Sequence, residues 1–296
     1  MPLARTADLL AAAVAERRGL PAFNVITLEH AEAIAAGAEL AGTPAILQIS
    51  ENAVAYHGGR ILPLARACAE LAAAARVPLS LHLDHVEDGE LLRAAPAAGF
   101  SSAMFDASKL THAENVRTTA EAADWAHRHG LHLEAELGRV GGKDGEPPLD
   151  AHAPGARTDP AEAAEYVAAT GVDALAVAVG SSHAMTSRTA VLDHALIRLL
   201  AAAVPVPLVL HGSSGVPDEV LAAAVDAGMV KINIGTALNT AFTPAVRAFL
   251  AAHQETTDPR KYLAPARTAM TATVAHLASV VASVAVTGQP AAAPLG

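Results

Sequence analysis

The sequence predicts an α/β chain closed as a (β/α)8 TIM barrel, on three observations. Short apolar runs alternate with helical stretches from one end almost to the other, and eight such pairs can be counted. The runs are nearly continuous in apolar character, as parallel strands covered on both faces are. Nearly every run ends in polar residues, where barrels of this class build their sites. At 296 residues the chain has room for one barrel of about 250 residues with extensions. No linker divides it, so residues 1–296 are expected to form one domain. A doubly wound open sheet shares the rhythm, but the count of eight disfavours it and no G-x-G-x-x-G fingerprint follows the first run.

The elements follow in order. MPLARTADLLAAAVAERRG opens with an amphipathic helix whose Asp8 and Glu16 do not suit a secretory segment. PAFNVI (21–26) precedes a helix through Gly42, PAILQIS (44–50) one across 61–75, and PLSLHLDHV (78–86) one ending near Gly99. SAMFDAS (102–108) leads to a helix reaching Gly130, HLEAELG (132–138) to one around 160–170, and ALAVAVG (174–180) to one around 193–203. PLVLHGS (207–213) and MVKINIGT (229–236) complete the series, each followed by a helix. Gly42, Gly99, Gly130, Gly171 and Gly228 stop helices a few residues before the next run, the punctuation of αβ loops. The segment 138–160 is rich in Gly, Pro and charge and long for a βα loop, which suggests a lid. The tail, about 286–296, is low in complexity and expected to fray.

Composition excludes several functions. With 20 Lys+Arg against 30 Asp+Glu the net charge is -10, which disfavours nucleic acid but leaves room for a small phosphorylated ligand in a local pocket. No apolar stretch approaches the ~20 residues of a membrane span, so no membrane partner is expected. The one cysteine, Cys68, lies in a helical apolar pattern, reads as core, and fits a reducing cytoplasm.

Three histidines, His85, His183 and His211, sit at or just beyond the polar ends of apolar runs. On parallel strands of one barrel their imidazoles converge, and three imidazoles make the ligand set of an open, catalytic zinc site. Asp84 shares its strand end with His85, so both can reach the barrel mouth only if the strand has ended there. His82 is expected to pack or to support the ligands. Glu134 and Glu136 share one face of a buried strand and repel unless a cation, a proton or a hydrogen-bond network intervenes; Glu136, nearer the C-terminal end, is the better placed to approach a metal. HGSSG (211–215) after the seventh strand and NIGT after the eighth provide small residues and amides suited to a phosphate. The remaining histidines are expected to be mostly solvated, and Lys109 and Lys143 to lie at the surface.

PAFN, HLDH, MFDAS, EAELGRVGG, VAVGSSH, LVLHGSSG, KINIGT and DPRKYLAPAR resemble, in order and spacing over residues 1–275, the class II fructose-bisphosphate and tagatose-bisphosphate aldolase family. The resemblance implies a zinc-dependent lyase that splits a ketose bisphosphate into dihydroxyacetone phosphate and an aldehyde. It assigns the zinc to His85, His183 and His211, with Glu136 approaching the metal in an alternative position. It assigns the proton of the C4 oxygen to Asp84, the phosphate of dihydroxyacetone phosphate to Gly212, Ser213, Ser214, Asn233 and Thr236 with Gly235 between them, and the enediolate also to Asn233. Ser50 falls at a substrate-binding serine, and Arg260 at an arginine that reaches the far phosphate, in some members from a neighbouring subunit. A monovalent cation (Na⁺ or K⁺) and a homodimer or homotetramer are implied too.

Three positions depart from the family pattern. Ala184 stands where a glycine usually follows the second metal histidine, and Gly235 replaces a polar residue. Asp144 occupies the register of the glutamate that shuttles the substrate C–H proton, with Glu146 two residues on. Lys231 is an alternative as a Schiff-base nucleophile, but it would leave the three histidines unexplained. A metal-dependent hydrolase of the same barrel class and a sugar-phosphate binder without turnover are the other readings.

Overall fold

In the computed structural model, which describes residues 3–138 and 156–283, eight parallel strands close into a barrel in sequence order. They are β1 (Leu20–Asn24), β2 (Ala45–Ser50), β3 (Leu79–Val86), β4 (Ser102–Phe105), β5 (His132–Leu137), β6 (Ala174–Val177), β7 (Leu208–Leu210) and β8 (Met229–Ile234). β8 pairs back onto β1, Ala22 opposite Asn233, so no edge is left unpaired. Helix α1 (Thr6–Glu16) precedes the barrel, and α2 (Leu28–Ala41), α3 (Glu51–Tyr56), α4 (Ile61–Ala74), α5 (Gly89–Ala98), α6 (His112–Arg128), α7 (Pro160–Thr170), α8 (His194–Ala203), α9 (Asp218–Ala227), α10 (Thr236–Ala252) and α11 (Pro259–Ala282) follow their strands.

All eight expected strands are present, and the differences have local causes. β6 stops at Val177, short of the 174–180 run, because the next amide, Ala178, donates to Thr158 Oγ1 rather than to a neighbouring strand. The short α3 was not expected; the Ser50 hydroxyl accepts from Ala53 N at 3.2 Å and starts it. After β8 come two helices instead of one, and α11 lies against α2 where Gly37 allows close approach: a Cβ there would come within 2.5 Å of Val274. Gly42, Gly99 and Gly171 cap their helices in the left-handed conformation, as the stops indicated.

The N-terminal end of the barrel is plugged by α1. Leu9, Leu10 and Ala13 pack with Leu20, Ala22 and Ile46, while the Thr6 hydroxyl donates to Ser80 at 3.0 Å and accepts from Ser102 at 2.8 Å. Above this floor the small side chains of Ala174, Ala176 and Val209 leave space for longer polar ones, among them Lys231, Glu134 and His82, all buried. Cys68 is buried in the outer core, and burial pushes its thiol up to about 12. Among the described residues no helix is long and apolar enough to cross a membrane.

Candidate metal centre and active site

Two consecutive residues of one strand reach the barrel mouth because the strand bends between them. Asp84 keeps the inward alternation, opposite Ser50 of β2. His85 then takes φ 48°, and the pairing of β3 with β4 shifts register between Leu83 and Val86. A left-handed residue with a side chain costs about 1–2 kcal/mol, and such strain collects where a side chain must be re-aimed. β7 delivers His211 directly at its end, and the loop after β6 delivers His183, tied down by the Ser181 hydroxyl donating to the His211 carbonyl at 2.7 Å. The three rings meet with centroids 4.9 Å (His85 and His211), 5.2 Å (His85 and His183) and 5.7 Å (His183 and His211) apart. One ligating atom from each lies within 4.8 Å of the others, so the three expected ligands form one group.

Carboxylates fix two of these rings. His85 Nδ1 donates to Asp106 Oδ2 at 2.9 Å, and Asp106 is itself held by the backbone amide (3.1 Å) and hydroxyl (2.5 Å) of Ser108. His211 Nε2 donates to Glu134 Oε1 at 3.0 Å, and its Nδ1 stands 2.9 Å from Glu136 Oε2. Both strand-five glutamates therefore address one imidazole. Burial alone would strip His211 of its proton, but the hydrogen bonds to Glu134 and Glu136 outweigh it and push the imidazole up to about 9. Burial likewise works against the Glu134 charge, and the Lys231 ammonium above all, with His211 and His82, holds the carboxyl well below its usual range. A divalent cation at Nδ1 would replace the proton on the Glu136 side while Glu134 kept the one on Nε2, so the donor set fits a metal that prefers imidazole.

The cluster borders a cavity of about 630 Å³ at the C-terminal face, lined also by Asp84, Gln48, Asn24, Asn233, Ser50 and Thr236. Gln48 Nε2 donates to Asn24 Oδ1 and to Asp84 Oδ2, each at 3.0 Å. Asp84 Oδ1, Gln48 Oε1 and Asn233 Oδ1 are buried acceptors without a hydrogen-bond partner among the described residues. Each such group costs about 1–3 kcal/mol until a donor arrives, which marks them as ligand-facing.

The phosphate-side residues divide. Gly212, Ser214, Gly235 and Thr236 line the cavity, the last two at the start of the 17-residue α10, whose first amides suit an anion. Gly212 has φ 66°, and a Cβ there would lie 2.5 Å from the Ser182 carbonyl oxygen. Ser213 turns inward instead: its hydroxyl donates to the Asn233 carbonyl at 2.5 Å, bracing the loop rather than facing the cavity. Arg260 is exposed at the start of α11, bonded to Asp258, and does not line the cavity of its own chain. Asp144 and Glu146 lie outside the described residues, as do most of the 138–160 segment and the tail. Ala184 holds φ 56°, a conformation natural to glycine.

Four positions escaped the sequence. Asp106, Glu134, Gln48 and Lys231 were either unassigned or assigned otherwise, although each is a polar residue set in an apolar run. His30, expected to be solvated, is buried: it stacks on Phe242 (centroids 5.7 Å, 24°) and lies 3.4 Å from Asn239, because it closes the capping box of α2. His82 packs as expected, its Nδ1 2.8 Å from Ser102.

Residues 4–285 match the family model described as fructose-bisphosphate aldolase class-II. A protein of Geobacillus stearothermophilus named fructose-bisphosphate aldolase is 39% identical over 280 residues, 93% of this chain and 95% of that protein. The X-ray structure of the YdjI aldolase from Escherichia coli K12 superposes with a TM-score of 0.78 at 29% identity, covering 94% of this chain and 97% of that one. The structure of fructose-bisphosphate aldolase from Campylobacter jejuni does so with a TM-score of 0.80 at 22% identity, covering 95% of each chain, a likeness of fold.

Proposed function

Because this chain belongs to the class-II fructose-bisphosphate aldolase family and is an aldolase, a carbon–carbon lyase, we propose that it reversibly cleaves a ketose 1,6-bisphosphate, fructose or tagatose, with Zn²⁺ as its resident metal. The products are dihydroxyacetone phosphate and glyceraldehyde 3-phosphate. The observation that carries this reading is the convergence of His85, His183 and His211 beside a cavity whose buried acceptors have no hydrogen-bond partner among the described residues.

His85, His183 and His211 would hold the zinc, with Glu136 close by at His211 Nδ1. When bound, zinc supplies Lewis acidity that stabilises negative charge developing on the substrate's carbonyl oxygen. The protein does the rest. Asp84, oriented through Oδ2 by Gln48, offers Oδ1 to the C4 hydroxyl and takes its proton as the C3–C4 bond breaks. Asn233 Oδ1 accepts from a hydroxyl of the three-carbon fragment, fixing it for bond formation in reverse. The amides around Gly212 and Ser214, with Gly235 and Thr236 at the α10 N-terminus, hold its phosphate. Asp144 is proposed as the C–H proton shuttle, and Arg260 as a ligand of the far phosphate supplied by a neighbouring subunit of a homodimer or homotetramer. A monovalent cation, Na⁺ or K⁺, and a cytoplasmic location complete the proposal. Lys231 does not act as a Schiff-base amine in this reading, since it is sealed in the barrel against Glu134 at 2.7 Å.

A coupled assay of fructose and tagatose bisphosphate cleavage, with and without chelator, tests the reading. Chelator-sensitive release of dihydroxyacetone phosphate from either is the expected result. Chelator-insensitive cleavage would remove zinc, and no cleavage of any ketose phosphate would leave a binder in place of an enzyme.

A further inference from the structure

The buried Lys231 is the one fully enclosed lysine or arginine among the described residues, and its surroundings are specific. Its ammonium donates to Glu134 Oε2 at 2.7 Å and to His82 Nε2 at 3.3 Å. Glu134 presents its other oxygen, Oε1, to His211 Nε2 at 3.0 Å. On the far side His82 Nδ1 reaches Ser102 at 2.8 Å, Ser102 donates to Thr6, and Thr6 donates to Ser80. If Nε2 of His82 accepts from the lysine, its Nδ1 must carry the proton, so every donor in this chain runs away from the ammonium toward the barrel floor. The lysine is thus anchored from below by neutral groups and directed at one carboxylate above. That carboxylate accepts from Nε2 of His211, which leaves Nδ1 as the nitrogen a metal would take.

We propose that Lys231 is a positioning residue of the metal centre: through Glu134 it fixes His211 with Nε2 protonated and Nδ1 turned to the zinc. This rests on the reading of the three histidines as zinc ligands. It also accounts for two glutamates on one strand face beside one imidazole. Glu134, bonded to the ammonium, serves as the support on the Nε2 side, and Glu136 stands on the Nδ1 side, where the metal would bind. A lysine that merely stabilised the barrel would influence folding and leave zinc affinity alone.

The test measures the zinc dissociation constant by chelator competition, with the thermal midpoint of the metal-free protein, for wild type, Lys231→Met, Glu134→Gln and the double variant. Lys231→Met strands a buried carboxylate and can fail to fold; the double variant removes both charges of that pair together and keeps the question answerable. Expected is a rise of about 10–100-fold in the dissociation constant for each single variant that folds, and for the double variant a value close to that of Glu134→Gln, because the lysine acts through the glutamate. A folded Lys231→Met or double variant that binds zinc within about twofold of wild type overturns the inference while the metal site stands. A wild-type protein that binds no zinc overturns the site itself, and the inference with it.

Discussion

Asp106 Oδ2 stands 2.9 Å from Nδ1 of His85, and this contact leaves Nε2 as the nitrogen of that ring turned toward the other two imidazoles. Removing it frees the ring to rotate and lets the tautomers exchange. Asp106→Ala is expected to weaken zinc binding by about 10–100-fold, so that activity becomes dependent on added zinc. Zinc titration of the metal-stripped variant checks this, and unchanged affinity would show that the aspartate does not orient the ligand.

Gly212→Ala tests the phosphate loop. Its φ of 66° and the 2.5 Å approach to the Ser182 carbonyl leave no room for a methyl. Cleavage efficiency is expected to fall at least about tenfold with zinc content intact, because in the proposed reading the displaced amides hold phosphate while the histidines hold the metal. Steady-state kinetics beside metal analysis separates the two.

Ala184→Gly is expected to stabilise the protein. At φ 56° alanine carries about 1–2 kcal/mol of backbone strain, and after the entropy that glycine adds to the unfolded chain a gain of about 1 kcal/mol remains. Thermal denaturation should show a midpoint about 2 °C higher; a lower midpoint would mean the methyl makes compensating contacts.

Much of this was legible in the chain. The strand ends could be read because the strands are mostly apolar until they reach the mouth, which is why His85, His183 and His211 stood out. The bend at His85 was not legible, since a positive φ at a histidine leaves no mark in the sequence; both Asp84 and His85 were expected at the mouth because the strand would end there, whereas β3 runs on to Val86 and bends instead. Asp106 and Gln48 were hidden, and the role of Glu134 in the singled-out glutamate pair was missed, for a different reason: a supporting polar residue in a strand reads like any other until its partner, 21 to 77 positions distant, is placed beside it. Ser213 shows the converse, a residue of the right type in the right loop whose hydroxyl faces inward.

His30 gives the pH dependence a sign. Burial lowers its pKa, with Asn239 and Glu29 pulling the other way less strongly, so the folded state binds its proton later than the unfolded one. Stability from this group is present above the unfolded value of about 6.5 and is lost as pH falls below it, with a slope of up to about 1.4 kcal/mol per pH unit. Denaturant unfolding at pH 7, 6 and 5 should show a shallower decline for His30→Gln than for wild type; identical slopes would mean that His30 titrates normally.

The histidine cluster itself is tested most directly by metal analysis of purified wild type and His183→Ala, each assayed in parallel for bisphosphate cleavage. Stoichiometric zinc in the wild type, with both zinc and cleavage lost from the variant, is the expected result. A His183→Ala protein that keeps its zinc and its full rate would contradict the assignment of the three imidazoles to one cation.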